Sequence, residues 1–358
     1  MPQIYPESTE NQDDTEPLLT ILVPTYNGEK TIARALESLV RDVLNHQLDG
    51  VINIIVADNC STDRTALIAL EYVNRYRWIK ISKSEVNLGL DSNLNRIFRK
   101  VDSTYVKILA DDDLVIDGYL PHLISLIANN PNCDLVVSSM TELGESTSCP
   151  HERYVGVSAF HGEVDFIERT RGAFGQISTL CFRTKSWIAC DDSPILQSYR
   201  HHNMEFVGRV YHLAIFGSCL YDDSKLMGND LGPKRWHSSY LDLYKVNVSH
   251  ASFIYEICRL NKESFLDFTR WNTWRLEGRR AVRKQTIIDL IGLRRGGVDL
   301  RIQSVVHYLP IEILNKRIFR IIRTIIQMSP KLLCTLLLRL NYVLTKFKNS
   351  LVGLLKSN

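Results

Sequence analysis

The chain has 358 residues, 45% of them hydrophobic, enough for one full-sized core and an appendage. A net charge of +3 argues for neither nucleic acid nor an acidic polymer as partner. Eight scattered cysteines without CxxC spacing exclude a disulfide framework and a clustered zinc site, and suit reduced thiols in a cytosol.

In chain order, residues 1–17 are polar and acidic and lack the basic start and apolar stretch of a signal peptide, so they read as a disordered leader. Residues 18–24 (LLTILVP) form an apolar, β-favouring run that Pro24 ends, as a buried parallel strand would. A polar turn, 25–29, leads to a helix with Ile32, Leu36, Leu39, Val40 and Val43 on one face. Strand INIIVA (52–57) stops at Asp58, and Ser61-Thr62-Asp63 reads as the N-cap of a helix bearing Ala66, Leu67, Leu70 and Val73. A short strand over 78–82, a helix through Leu94 and Phe98, and strand YVKILA (105–110) follow. That strand runs into Asp111-Asp112-Asp113, then a helix over 117–129 and strand DLVVSS (134–139).

This alternation predicts an α/β fold, a doubly wound and mostly parallel sheet with helices on both faces. Ligands of such sheets lie across the C-terminal strand edge. Thr25-Tyr26-Asn27, Asp58-Asn59 and Asp111–Asp113 should therefore converge on one crevice. Beyond 150 the pattern is less regular: strands over 154–160, 177–183 and 218–222, a helix over 201–216, and long helices over 239–262 and 264–292. The domain should span 18–238, with a helical region over 239–300 and a basic amphipathic helical tail over 301–358. That tail holds ten Lys/Arg against the single acid Glu312.

Three adjacent aspartates repel one another and disfavour β structure, so a strand ending in them costs stability. A hard cation, Mg²⁺ or Mn²⁺, would remove that cost and leave coordination places for phosphate oxygens. The alternative is a solvated acidic turn. Asp58 can accept hydrogen bonds from a base or ribose, or can serve as a helix cap. Tyr26 offers a flat ring to the same crevice, or packs in its loop.

VPTYNGE (23–29), VADNCSTD (56–63), NLGLDSNLN (87–95) and ILADDDL (108–114) together resemble the ordered signature of family 2 glycosyltransferases with the GT-A fold. The resemblance covers roughly residues 18–140. It implies inverting transfer of a sugar from a nucleoside-diphosphate (NDP) sugar, with a divalent metal on a DxD-type motif. By motif position, Thr25, Tyr26, Glu29, Asp58, Asn87, Asn95 and Asp111 would line the nucleotide-sugar site, with Asp111, Asp112 and Asp113 at the metal. Where the family often reads Leu-Asp-x-Asp-Asp, the first aspartate falls on Ala110. Either Asp111 and Asp113 form the metal pair, or Asp112 ligates with a neighbour.

The family usually places an acidic pair, the source of the general base, at a helix start beyond the sheet. MEFVGRVYHLAIFG (204–217) resembles that segment, with Glu205 as the catalytic base and Phe206 where the second acid would stand. Asp191 and Asp192 are the fallback. GPKRWHSSY (232–240) resembles the segment that closes over the diphosphate, so Arg235 would bind phosphate and His237 phosphate or metal. In the tail, Ile318, Ile321, Ile322, Ile325 and Ile326 interleave with Arg317, Arg320 and Arg323. Such a helix lies in a membrane interface, or packs on the catalytic domain. The expectation is a cytoplasmic enzyme, peripheral on the inner leaflet, extending a glycan or lipid-linked glycan in surface-polysaccharide (O-antigen or capsule) assembly. Transfer to polyprenyl phosphate or protein, or a catalytically inactive binding subunit, are the alternatives.

Overall fold

The computed structural model describes residues 17–143, 157–161, 166, 176–193, 196, 205–230, 291 and 324–328. The leader, nearly all of 239–300 and most of the tail lie outside them. Of the tail only 324–328 are described, and they are helical. Among the described residues no helix is long and apolar enough to cross a membrane.

Eight strands form the main sheet in the order β3-β2-β1-β4-β9-β6-β10-β8. Their ranges are β1 Leu19–Thr25, β2 Ile52–Asp58, β3 Ile79–Lys83, β4 Tyr105–Ile108, β6 Leu135–Ser138, β8 Val157–His161, β9 Leu180–Arg183 and β10 Ser218–Asp222. β3, β2, β1 and β4 pair in parallel, as do β6 and β10; β9 and β8 run against their neighbours. The sheet is mostly parallel, as the alternation of strands and helices predicts.

All seven residues of β1 are buried, and their side chains alternate between two cores. Ile21 and Val23 join one cluster with α1 (Ile32–Asn45), α2 (Thr65–Arg75) and α4 (Tyr119–Asn129). Leu22 joins the other, with α3 (Leu90–Phe98), α5 (Thr184–Ala189) and α6 (Glu205–Phe216). The helices thus cover both faces. On the second face Trp187 stacks on Phe98 with ring centroids 3.9 Å apart and meets Phe182 edge-on at 4.8 Å.

Three short strands, β5 (Asp113–Val115), β7 (Thr141–Leu143) and β11 (Met227–Asp230), make a second sheet that sequence periodicity misses. Each has three or four residues, too few to show a period of two. The expected strand over 105–110 accordingly ends at Ile108 and the chain resumes as β5 at Asp113. The stretch 177–183 likewise opens as a 3-10 turn, Ile177–Thr179, before β9.

The join between α6 and β10 is tight. A Cβ on Gly217 would lie 2.9 Å from the Leu213 carbonyl oxygen and 2.9 Å from Asp134 Oδ2. Asp134 is not at liberty to move, since it accepts from the Ser218 amide at 2.9 Å and the Ser186 hydroxyl at 2.5 Å. Gly217→Ala should destabilise the fold by about 1–3 kcal/mol in urea denaturation, the usual cost of overpacking.

Candidate functional site at the C-terminal rim of the sheet

Thr25 and Asp58 are register partners at the ends of β1 and β2. The Asn59 amide donates to the Thr25 carbonyl at 2.9 Å and the Ser84 amide to the Asp58 carbonyl at 2.8 Å, so the ends of β1, β2 and β3 are level. From β1 the Thr25 hydroxyl reaches across 86 residues of sequence to donate to the buried Asp111 carboxylate. The expected convergence of Thr25, Asp58 and the acidic turn on one edge is what the structure contains.

Asp58 is fully buried; its Oδ1 accepts from the Ser61 amide at 2.9 Å. Its Oδ2 has no hydrogen-bond partner, and Lys83 Nζ stands 3.8 Å away. A buried carboxylate oxygen without a donor is costly unless a ligand supplies one. Beside it Tyr26 leaves 46% of its surface exposed, a bare ring at the rim.

Two loops behind this edge are laced together. The amides of Asn27 and Gly28 donate to the hydroxyls of Ser61 at 2.9 Å and Thr65 at 2.7 Å, and Asn27 Oδ1 accepts from the Thr62 amide at 2.9 Å. Asn27 and Cys60 both hold left-handed backbone, φ 54° and 66°. Asn tolerates that region and Cys rarely does, so this lacing holds a strained loop at the rim. Glu29 belongs to the same latch: its carboxylate accepts from the Arg64 amide at 3.3 Å, while its own amide donates to Asp63 at 3.2 Å. Helix α2 starts at Thr65, and of Ser61-Thr62-Asp63 it is Asp63 that accepts from the Thr65 amide, at 3.0 Å. Asn87 organises the next loop, its Oδ1 accepting from Asn59 Nδ2 at 2.9 Å and the Gly89 amide at 3.0 Å.

The acidic turn rests on Ser178. That hydroxyl donates to Asp113 Oδ2 at 2.5 Å and accepts from the Ala110 amide at 2.8 Å. Burial above all, with the charges of Asp112 and Asp111 adding, pushes the Asp113 carboxyl up to about 6. Beneath it Lys107 is buried, donates to the Ser178 carbonyl and lies 5.3 Å from the Tyr119 ring centroid; burial draws its ammonium down to about 7. Neither support stands out in sequence, although a lysine inside the apolar run YVKILA is the signal for one.

These carboxylates fit a hard divalent cation by the chemistry of their donors, which are all oxygen, and by their mutual repulsion. A different group, Asp42, His46 and Asp117, brings ligand atoms within 4.8 Å of one another. It lies at the far end of α1, about 15 Å along that helix from the rim loop. Asp42 there accepts from the amides of Gly118 at 2.6 Å and Leu120 at 2.8 Å, which makes it the cap of α4.

Glu205, the expected base, opens α6. Asn95 Nδ2 donates to Glu205 Oε2 at 3.2 Å, and Asn95 Oδ1 accepts from Trp187 Nε1 at 3.0 Å and Arg209 Nη2 at 3.1 Å. Both polar atoms of Asn95, expected at the nucleotide by motif position, are thus engaged with α5 and α6. Phe206 is buried in the core, so the position of the family's second acid faces inward. Asp191, the fallback, is tied to Arg99 and Arg209, each at 2.6 Å. Arg235 and His237 lie outside the described residues.

Residues 20–190 match the model of the family "Glycosyl transferase family 2". An uncharacterized glycosyltransferase of Rickettsia typhi is 28% identical over 137 residues, 38% of this chain and 40% of the relative. The poly(ribitol-phosphate) beta-N-acetylglucosaminyltransferase TarS of Staphylococcus aureus is 31% identical over 98 residues, 27% of this chain and 16% of that protein. The chain spans about two-fifths of the length of the Rickettsia relatives it matches, 40% and 44%. Among solved structures, S. aureus TarS 1–349 in complex with UDP-GlcNAc superposes with a TM-score of 0.54 at 18% identity, over 82% of each chain. The mannosyltransferase PcManGT of Pyrobaculum calidifontis, in complex with GDP-Man and Mn²⁺, gives 0.54 at 14% identity, over 90% of this chain and 88% of that one. Residues 20–190 are thus similar to glycosyltransferase family 2, and the described architecture is the GT-A fold.

Proposed function

We propose that this protein is an inverting, metal-dependent glycosyltransferase that moves a sugar from an NDP-sugar to a glycan acceptor, lipid-linked, in cell-surface polysaccharide assembly. The observation that carries the reading is the rim itself: Thr25 joined to Asp111, and in register with it Asp58, whose buried Oδ2 accepts no hydrogen bond. Asp58 Oδ2 would accept an N–H or hydroxyl of the nucleoside, and Tyr26 would stack on its base. Asp111 and Asp113, with Asp112 between them, would hold Mn²⁺ or Mg²⁺. When bound, the cation supplies a Lewis acid that neutralises charge on the departing diphosphate. Glu205 would take the proton of the acceptor hydroxyl as that oxygen attacks the anomeric carbon opposite the diphosphate. Asn95 would hold the Glu205 carboxylate in place for that transfer.

Relatives point to the same class of product. TarS acts on poly(ribitol-phosphate), and another relative, GgaB of Bacillus subtilis, is a minor teichoic acid biosynthesis protein that is 24% identical over 113 residues. An acceptor at the cytoplasmic membrane face would suit the basic, apolar tail. Arg235 and His237 would close over the diphosphate.

A thermal-shift screen of nucleoside diphosphates, with and without Mn²⁺, tests this reading. One diphosphate plus Mn²⁺ should raise Tm, equivalent to about 2.7 kcal/mol at one hundred times its Kd, and Mn²⁺-free samples should not. The matching NDP-sugar should then release NDP slowly by hydrolysis. No shift with any diphosphate would reject the donor site; a shift without turnover of any NDP-sugar would favour a binding subunit.

A further inference from the structure

Position 206 is phenylalanine and points into the core, yet Glu205 does not stand without a second carboxylate. Asp91, one turn before Asn95 on α3, faces the start of α6 with it. Asp91 Oδ1 accepts from the Glu205 amide at 3.1 Å and the carboxylate also accepts from the Phe206 amide. The head of α6 thus meets α3 at Asp91, which takes its main-chain amides, and at Asn95, which takes the Glu205 side chain at 3.2 Å and Arg209 at 3.1 Å. We propose that Asp91 is a positioning residue for Glu205, docking the head of α6 on α3 and supplying from another element the second carboxylate that position 206 lacks. This inference rests on the reading of Glu205 as the base.

The charges around the pair are few among the described residues. On α6, Arg209 Nη2 stands 3.8 Å from Glu205 Oε2. Arg209 is held by Asp191 at 2.6 Å and by the face of Trp187, 4.4 Å from its ring centroid. Asp191 in turn takes Arg99 of α3 at 2.6 Å. Arg209 is therefore already committed, and two carboxyl groups share what remains of its field. Burial first, with the charge of Glu205 adding against the two amide hydrogen bonds and Arg209, pushes the Asp91 carboxyl up to about 7. Ionisation of Asp91 near neutrality would place a second negative charge beside the base and strengthen it as a proton acceptor. It would also tighten the charge-assisted bonds to the α6 amides.

Asp91→Asn keeps one oxygen to accept from the Glu205 amide and removes the charge. The wild-type rate profile should show a second rise centred near pH 7, and Asp91→Asn should lack it. The two proteins should turn over at similar rates at pH 6, with the variant about 3- to 10-fold slower at pH 8 and KM for the donor unchanged. A merely structural role would lower both by the same factor at every pH, and that result would overturn the proposal.

A second measurement needs no activity. The fold favours the neutral form of Asp91, whose ordinary value is 3.8, so stability should fall as pH rises from about 4 to about 7 and then level off. In Asp91→Asn that part of the slope in Tm should vanish. An unchanged slope would overturn the pairing whatever the kinetics show. A flattened slope with a pH-independent rate ratio would overturn only the role at the base and leave the transferase reading standing. A wild-type protein that turns over no NDP-sugar at any pH would remove both.

Discussion

Glu205→Gln should lower turnover by about 10²- to 10⁴-fold while leaving nucleotide binding intact. General-base catalysis contributes about that much when a positioned carboxylate takes the proton in the transition state. The amide keeps the size and one oxygen of the side chain, so Asn95 Nδ2, now 3.2 Å from Oε2, retains an acceptor. What is lost is the affinity for a proton. The measurement is kcat from NDP release with acceptor present, set beside the Tm shift by NDP and Mn²⁺. The shift should match wild type, because the described contacts of Glu205 run to α3 and α6 and not to the strand ends. A variant with undiminished kcat would remove Glu205 from the base role. Asp191 would not inherit the role easily, since both its oxygens are bonded to arginines at 2.6 Å.

The parallel half of the fold is legible in the sequence because its physics is local. Residues 18–24 are apolar but for the buried Thr20 since β1 is covered on both faces, and Ile32 to Val43 repeat at helical spacing since α1 has one covered face. The strand-end polar clusters are legible for the same reason: Thr25, Asp58 and Asp111 each interrupt an apolar run where the chain emerges at the rim. The parts that escape depend on distant partners. β5, β7 and β11 are defined by pairing with one another rather than by their own pattern.

Roles within the site divide in the same way. Motif position assigns Glu29 and Asn95 to the nucleotide, whereas their side chains are bonded to the Arg64 amide and to the Trp187, Arg209 and Glu205 group. A motif fixes which residues recur together, not which of them touches ligand and which holds a neighbour in place. Asp91 shows the converse. Nothing in GLDSN marks it as acidic partner to a residue 114 positions on, and only the approach of α3 to α6 makes it one.

Asp111→Asn with Asp113→Asn should abolish the Mn²⁺-dependent Tm shift and cut turnover by on the order of 10³-fold, yet leave a protein no less stable at pH 8 than wild type. Each asparagine keeps an oxygen for the hydroxyl that now donates to the aspartate, Thr25 for 111 and Ser178 for 113. The fold holds the Asp113 carboxyl at about 6 against an ordinary 3.8, so it favours the neutral form. Stability of the metal-free protein therefore falls as pH rises through roughly 4 to 6, and the whole penalty is present at pH 8. Asparagine removes that penalty along with the charge. Loss of function without loss of stability is the combination a cation site demands, because carboxylates that repel one another in the empty fold are retained only for what they bind. Urea denaturation at pH 8 without metal, run beside the Mn²⁺ thermal shift, measures both halves. A double variant that still showed the full Mn²⁺ shift would move the metal elsewhere, and a large loss of stability would make the acidic turn a structural element instead.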